Sequence, residues 1–250
     1  AVWPAMAQSV RVDSTARRLA DEGFANVRAV ETADYTVFTL ESDRFKIPVE
    51  GFAYAAGIIE SAGLDPSKPV KFIATSYKVP QLTLTWDGES WDATKRLDSS
   101  WNAVRKQPKL NNSFGKIDIV VYPQVSLQNL IINQVYQSLF TLNPSLEVSL
   151  WPGAKFTYQL VIPIFTDYFE DRYYKVHPGF ITLSQRFRDP WNLNITGKVT
   201  IGNFSGNRFG AALEASYHFP NERFSIDTQL AVLALSYFEG FTWKYTDTPS

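Results

Sequence analysis

Few side chains in this sequence have the types and spacing that acid–base or metal chemistry requires. The two histidines, His177 and His218, are about forty residues apart, and a metal site between them would need carboxylates brought in by the fold. Cysteine is absent, which excludes a disulfide framework and a thiolate metal site. Nucleophile-elbow, phosphate-loop and zinc-protease motifs are absent as well. We therefore predict a non-enzymatic protein with no catalytic residue, metal or cofactor.

Two carboxylate pairs have the side chains that glycoside hydrolysis uses. They are Glu41 with Asp43 and Glu170 with Asp171, and basic residues follow each pair within a few positions. Adjacent opposite charges of this kind are typical of solvated loops, where an ion pair contributes little. We interpret both pairs as such loops rather than as catalytic acids.

The segment 165–178, FTDYFEDRYYKVHP, mixes aromatic and charged residues more densely than the rest of the chain. Aromatic faces can stack on the apolar faces of sugar rings. The same composition is found where the rim of a membrane barrel meets the lipid interface. The rim is the preferred interpretation.

Composition narrows the class of protein before any element is assigned. The net charge of −1 provides no basic excess for nucleic acid, so no nucleic-acid partner is expected. The sequence contains no run of about 18 apolar residues, so it does not predict a membrane-spanning helix. Ala5-Met6-Ala7 matches the pattern before an export-signal cleavage site, and residues 1–8 are interpreted as a signal-peptide remnant or tail.

The part of the chain over 9–143 is predicted to be a small α/β region. Its predicted helices have residues that commonly start or end a helix, with Pro48 at a start and Gly23 or Gly63 at an end. No element is predicted over 87–115, and 127–139 is left open as a helix or a long strand. The predicted helices are 9–23 and 48–63, and the predicted strands are 24–30, 34–40, two strands over 70–86 with a break at Pro80, and 117–123.

From residue 144 to 250 apolar and polar residues alternate, which predicts six or seven antiparallel strands. Several run to about ten residues or more, as membrane-barrel strands of about 9–11 residues do, whereas globular strands average about 5–6. A soluble barrel or sandwich remains the alternative. Aromatic residues gather near the predicted strand ends at Trp151, Trp191, Phe219, Tyr237, Phe238, Phe241 and Trp243.

The predicted fold class is therefore α+β, a small periplasmic α/β region followed by antiparallel outer-membrane strands that form a partial barrel. Six or seven strands are too few to close a bacterial barrel, for which eight is the usual minimum. We expect the remaining strands to come from a longer protein or from other chains.

Several stretches, taken in order, resemble the YjbH-type (GfcD-like) exopolysaccharide and capsule export proteins of Gram-negative outer membranes. Each stretch is short, and their common order along nearly the whole chain carries the resemblance. Family members are longer and have many more strands. The stretches are EGFANVR at 22–28, DIVVYP at 118–123, WPG at 151–153, QLVIPI at 159–164, VHPGFITLSQ at 176–185, RFRDP at 186–190, GNF at 202–204 and 210–217.

The resemblance implies an outer-membrane component of exopolysaccharide or capsule secretion, with its N-terminal part in the periplasm. It also implies contact with outer-membrane lipid, with the polysaccharide and with other proteins of an export operon. In a barrel, the polar positions of the strands would face the lumen and the passing polysaccharide. These positions are Lys155, Thr157, Gln159, Asn194, Thr196, Lys198, Glu214, Asp227 and Gln229.

Two other functions compete with export. One is an outer-membrane protein-assembly or protein-secretion barrel, which also carries periplasmic modules. The other is a glycan-acting envelope enzyme, for which the sequence would have to bring carboxylates together. Only one α/β unit is apparent before residue 87, which favours export over the first alternative.

Overall fold

The computed structural model describes residues 10–42, 45, 47–130, 134–168, 171–191, 193–204 and 207–245. Strands make up 56% of the described residues and helices 15%, and the sheets are mostly antiparallel. The chain divides into two compact units. The first contains Ala1–Ser113, Phe187–Thr196 and Ser216–Ile226, and the second contains Phe114–Arg186, Gly197–Ala215 and Asp227–Ser250.

A five-stranded sheet in the order β1-β2-β3-β4-β5 forms the centre of the first unit. Strands β2 and β3 are parallel, because helix α2 connects them, and the other neighbours are antiparallel. The elements are α1 (Val10–Asp21), β1 (Ala25–Glu31), β2 (Thr36–Glu41), α2 (Pro48–Glu60), β3 (Val70–Ser76), β4 (Val79–Trp86), β5 (Trp91–Thr94) and α3 (Ser99–Val104).

Both faces of this sheet are covered, so the unit has three layers. The face that carries Phe38 and Phe72 packs against Leu19 of α1 and Ile59 of α2. The other face packs against α3 through Val104. Because both faces of the sheet are covered, every residue of β2 is buried, including Thr36, Thr39 and Glu41.

The outer edge of β1 is covered by a later part of the chain. The backbone N–H of Leu110 donates to the carbonyl of Val27 (2.9 Å), and the N–H of Val27 donates to the Asn111 Oδ1 atom (3.0 Å). The Asn111 amide also donates to the carbonyl of Phe24 (2.6 Å). Segment 110–111 therefore occupies backbone groups that an edge strand would otherwise expose.

Polar contacts of Arg188 and Glu222 attach the two later segments to the rest of the first unit. The Arg188 guanidinium donates to Asn194 Oδ1 (2.9 Å) and to the carbonyl of Lys95. The Glu222 carboxylate accepts hydrogen bonds from the N–H of Lys95 (3.1 Å) and the hydroxyl of Thr94. These contacts are of the charge-assisted kind, which is stronger than a neutral hydrogen bond.

The second sheet is an up-and-down sheet of eight strands, and each strand pairs with the next in sequence. Seven of its strands contain 10–16 residues. The strands are β6 (Ile117–Leu130), β7 (Gln134–Ser149), β8 (Ala154–Thr166), β9 (His177–Arg188), β10 (Ile195–Phe204), β11 (Arg208–His218), β12 (Ser225–Glu239) and β13 (Thr242–Tyr245).

The elements differ from the sequence-based assignment in three places. Strand β5 and helix α3 lie in 87–115, where no element was predicted, and the β3–β4 turn is at Tyr77-Lys78 rather than at Pro80. The open segment 127–139 belongs to strands β6 and β7, apart from 131–133, which is not described. The chain first passes from one compact unit to the other at 113/114, and the predicted boundary of 143/144 falls inside β7.

The Trp151–Ala154 turn agrees with the prediction, since the Ala154 N–H donates to the Trp151 carbonyl (2.9 Å) and Gly153 has a φ of 85°. The predicted signal remnant, residues 1–8, lies outside the described residues. In the described part of the chain, no helix has both the length and the apolar character needed to span a membrane.

Candidate functional site

The two faces of the eight-stranded sheet differ in chemistry and in exposure. On one face, here called the apolar face, large apolar side chains recur at every second position and are exposed to solvent. Val232 is 83% exposed, Leu127 73% and Ile119 72%. Other exposed members are Ile117, Val121, Val125, Ile164, Val199, Ile201, Phe209, Ile226 and Leu230.

The opposite face, here called the polar face, carries hydroxyl and amide side chains that are buried. In soluble sheets the buried face is apolar and the exposed face is polar, so this sheet has the reverse arrangement. Side chains on one face of a single sheet become buried when the strands curve towards that face and crowd them together. The buried polar residues are Gln137, Thr141, Asn143, Ser145, Gln159, Thr182, Asn203 and Ser236.

Two ion pairs join neighbouring strands on the polar face. The Lys155 ammonium lies 2.9 Å from a Glu147 carboxylate oxygen, and the Lys198 ammonium lies 2.9 Å from a Glu214 carboxylate oxygen. Lys155, Glu147 and Lys198 are each about one third exposed or less, and Glu214 is close to half exposed. Because each cation has an anionic partner, this part of the face is locally neutral.

Thr157 and Gln159, two of the predicted site residues, also lie on the polar face. Thr157 is opposite Glu147 on β7 and Thr182 on β9. Gln159 is opposite Ser145. Its side chain packs against Gly179, where an added Cβ atom would lie only 2.7 Å from the Gln159 Oε1 atom. Glycine at 179 therefore leaves the space that the Gln159 amide occupies.

The other predicted site residues are arranged differently. Asn194 is in the β9–β10 turn, where its φ of 62° and its hydrogen bond to the His218 carbonyl (3.2 Å) give it a role in the turn. Asparagine tolerates this left-handed conformation better than most residues. Thr196 is the second residue of β10, and Asp227 and Gln229 are exposed on β12. The structure thus brings Lys155, Thr157 and Gln159 together, and separately pairs Lys198 with Glu214.

Asn203 and Ser236 belong to the polar face but were missed in the sequence. The Asn203 amide donates to the Gly179 carbonyl (2.8 Å), and the Ser236 hydroxyl donates to Asn203 Oδ1 (3.1 Å). The alternation changes phase before each of these residues. Ile201 is exposed on the apolar face although it lies two positions before the buried Asn203, and Val232 is exposed although it lies four positions before the buried Ser236. A phase change near Val232 was visible in the sequence, but the matching one at Gly202 was not.

Gln137, Thr141 and Asn143 were missed for another reason. They alternate with apolar residues as the later strands do, but Leu139 breaks the polar series. The first part of this strand was therefore assigned to the α/β region. The alternation itself was the signal that identifies them.

The aromatic residues predicted at strand ends lie near the two ends of the sheet. In an up-and-down sheet, alternate connections lie at the same end. Trp151, Trp191 and Phe219 are in the β7–β8, β9–β10 and β11–β12 connections and share one end. The other end has Phe241 in the β12–β13 turn, with Tyr237, Phe238 and Trp243 on the flanking strands.

Segment 165–178 forms the end of β8, a short 3₁₀ helix over Asp171–Tyr174 and the start of β9. The Tyr168 ring is buried and contacts the Tyr173 ring edge-on, with 4.8 Å between centroids. Burial raises the pKa of the Tyr168 hydroxyl, with smaller contributions from Tyr173 and Asp167. Packing within the segment therefore uses two of its aromatic rings, and Tyr174 is exposed.

The residues considered for acid–base chemistry do not converge. His177 Nδ1 lies 2.9 Å from the Lys175 carbonyl, and His218 Nε2 lies 2.7 Å from the Lys95 ammonium. Glu41 is buried and accepts hydrogen bonds, which corrects its interpretation as part of a solvated loop. Asp43 and Glu170 lie outside the described residues, and within those residues no three His, Asp or Glu side chains are placed to hold a metal.

Comparisons with known proteins leave the chain without a family assignment. No protein-family model matches it, no curated protein matches it, and no solved structure matches its fold.

Proposed function

We propose that this protein is a non-enzymatic outer-membrane component of exopolysaccharide or capsule secretion in a Gram-negative bacterium. The eight-stranded sheet lies in the membrane as part of a barrel wall, and the α/β unit lies in the periplasm. The observation that carries the proposal is the reversed sheet, with apolar side chains exposed and polar side chains buried.

Lipid is the environment that makes the apolar face favourable. Apolar surface in water costs about 25 cal/mol per Å², so a row of exposed Ile, Val, Leu and Phe side chains on adjacent strands is unfavourable in a soluble protein. Strands of 10–16 residues reach the length of about 9–11 residues that a tilted membrane strand requires. Aromatic residues near both ends match the interfacial girdles of such barrels.

The polar face has the chemistry expected for passage of a hydrated polysaccharide. Hydroxyl and amide groups exchange hydrogen bonds with sugar hydroxyls, and paired charges do not hold a passing chain tightly. Outer-membrane lipid, the polysaccharide and other proteins of the export operon are the proposed partners.

The orientation follows from the connections. Periplasmic turns of outer-membrane barrels are short, and the β7–β8, β9–β10 and β11–β12 connections are all short. The long connection over 167–176 is at the opposite end. Segments Phe187–Thr196 and Ser216–Ile226, which contain two of the short connections, belong to the same compact unit as the α/β fold. We therefore assign to the periplasm the end with the β7–β8, β9–β10 and β11–β12 connections, which lacks the long connection.

Membrane fractionation of the tagged native protein tests the location. We expect recovery in the outer-membrane fraction and a gel mobility that differs between heated and unheated samples, because lipid-embedded barrels resist unfolding by detergent. Recovery as a soluble periplasmic protein with no heat-dependent shift would exclude a lipid-facing sheet.

Complementation of a capsule-secretion mutant tests the role of the polar face. Gln159→Leu and Lys198→Met are expected to reduce secreted polysaccharide while the heat-dependent gel shift remains. Glu89→Gln, an exposed position in the β4–β5 turn of the α/β unit, is the control and should retain normal secretion. Normal secretion by all three variants would exclude this face as the polysaccharide path.

A further inference from the structure

The polar face extends onto β6, the strand at one edge of the eight-stranded sheet. Tyr122 pairs with Asn143 on β7, and Gln124 pairs with Thr141. Residues directly opposite each other in an antiparallel pair point to the same face, with Cβ atoms about 4.5–5.5 Å apart. Tyr122 and Gln124 therefore share the polar face with the buried Asn143 and Thr141.

Asn143 has a hydrogen-bond acceptor that the fold does not use. The residue is 3% exposed, and its amide nitrogen donates to the Gln124 Oε1 atom (2.9 Å). Its Oδ1 atom is shielded from solvent and has no hydrogen-bond partner among the described residues. A buried acceptor without a donor loses its hydration and gains nothing in return, so a donor that reached this oxygen would stabilise the protein.

The Gln124 amide adds a donor beside this acceptor. Because its Oε1 atom accepts from Asn143, its Nε2 atom remains as the donor, and the contact of Nε2 with the Ser126 hydroxyl is long at 3.4 Å. The oxygen and nitrogen of an amide share one carbon, so Asn143 Oδ1 and Gln124 Nε2 flank the same hydrogen bond. Neighbouring hydroxyls of a sugar can match both atoms, because each hydroxyl both donates and accepts.

Tyr122 supplies an apolar surface next to the two amides. Its side chain is 46% exposed, although it is on the face where the hydroxyl and amide groups of β7 are buried. An aromatic ring in this position can stack on the apolar face of a sugar ring. Gln124 is exposed on the edge strand, so its side chain can turn aside and admit a hydroxyl to the shielded oxygen of Asn143.

We propose that Tyr122, Gln124 and Asn143 form a binding site for one neutral sugar unit of the transported polysaccharide. The sugar ring stacks on Tyr122, and one of its hydroxyls donates to Asn143 Oδ1. Apolar surface with a few placed polar groups is the usual composition of such a site. The assignment of the sugar to a transported polymer rests on the proposed export function. The site itself rests on the strand register, the unpartnered oxygen and the exposed ring.

Saturation-transfer NMR of the full chain, in a detergent without a sugar headgroup, tests the site. The probes are neutral hexasaccharides of glucose, galactose, mannose and N-acetylglucosamine. We expect at least one probe to bind, and Tyr122→Ala should weaken its binding about fivefold or more. Tyr136→Ala is the matched control and should bind normally. Tyr136 is exposed, and its place next to the buried Gln137 puts it on the apolar face.

Asn143→Leu separates binding from folding. Leucine has a similar size and removes the unpartnered acceptor, so the urea midpoint should stay the same or rise while the affinity for the sugar falls about fivefold or more. A lower midpoint with unchanged affinity would mean that Asn143 only stabilises the sheet, and it would overturn the site.

Two further outcomes would also overturn the site. One is binding of none of the four probes, and the other is equal affinity of Tyr122→Ala and Tyr136→Ala. Failure of the export proposal would appear separately, as recovery of the protein in the soluble fraction with sugar binding retained and still weakened by Tyr122→Ala.

Discussion

Glu41 stabilises the β3–β4 turn, whose two residues, Tyr77 and Lys78, do not favour the turn conformation. Tyr77 and Lys78 both have positive φ angles, 50° and 67°, in the two-residue β3–β4 turn. Such turns usually contain Asn and Gly, since other residues pay a steric cost in this conformation. The Glu41 carboxylate accepts hydrogen bonds from the backbone N–H of both residues, which offsets that cost.

Replacing Glu41 with Gln should therefore destabilise the protein by about 2–3 kcal/mol. The amide nitrogen of Gln would face hydrogen-bond donors, and Lys78 and Lys109, whose pKa values the Glu41 charge raises, would lose a negative neighbour. The urea midpoint measures the effect. Glu89→Gln, at an exposed position, should leave the midpoint unchanged, and equal midpoints for both variants would contradict the role assigned to Glu41.

Gly202 occupies a position where a side chain would collide with the neighbouring strand. A Cβ atom there would lie 2.1 Å from the Ile181 carbonyl oxygen, and the φ of 133° is one that side-chain-bearing residues rarely adopt. We expect Gly202→Ala to cost about 1–3 kcal/mol, measured as a lower urea midpoint. Gly57→Ala in α2 is the comparison, because a Cβ there meets nothing within 4 Å. It should raise stability by up to about 1 kcal/mol, and similar losses for both would contradict the steric argument.

Among the elements, α3 depends most on a single residue. Asp98 is its N-cap, and the carboxylate accepts from the N–H of Ser100 at 2.9 Å and from the Lys71 ammonium. Partial burial alone would raise the pKa of Asp98, but these hydrogen bonds outweigh it and lower the pKa below its ordinary value. The helix has only six residues, so an uncapped end is a large fraction of it.

Asp98→Ala should cost about 1 kcal/mol at neutral pH, the usual value of an N-cap. A depressed carboxyl pKa contributes stability above the ordinary value of about 4 and loses it as pH falls through the lowered value. The difference in thermal midpoint between wild type and Asp98→Ala should therefore shrink at acidic pH. A difference that stays constant down to pH 2 would contradict this account.

Regular elements with a clear period were predictable, and short or tertiary features were not. The strands from β8 to β12 follow from alternation, because one face of each is apolar. Helix α3 was missed because six residues give no clear helical period. The burial of Glu41 was also missed, because its partners at Tyr77 and Lys78 are more than thirty residues away and contribute backbone atoms.

For the molecule as a whole, the reversed sheet predicts where charge is tolerated. Val199 is on the apolar face and the adjacent Thr200 has the parity of Lys198 on the polar face. In a lipid-embedded sheet, Val199→Arg should cost about 2–4 kcal/mol near the membrane midplane, whereas Thr200→Arg should cost much less. Urea titration of folding into lipid vesicles measures both. Equal costs would mean that neither face meets lipid.

The candidate site was only partly predictable at this scale. The polar positions of β8, β10 and β11 could be read from the alternation of their own strands. The pairing of Lys155 with Glu147 could not, because it depends on the register between β7 and β8. The turn role of Asn194 likewise depends on Arg188 and on the carbonyl of His218, which no local pattern specifies.

The covered edge of β1 affects which extended chains the α/β unit can recruit. Sheet edges capture unfolded polypeptides by β-augmentation, in which free N–H and C=O groups template an added strand. At Val27 both groups are already bonded to segment 110–111. An extended chain in the periplasm, where we propose that this unit lies, therefore finds no template at this point of the edge. A module that chaperones such chains needs an open edge, whereas one that handles a sugar polymer gains protection from aggregation by closing it.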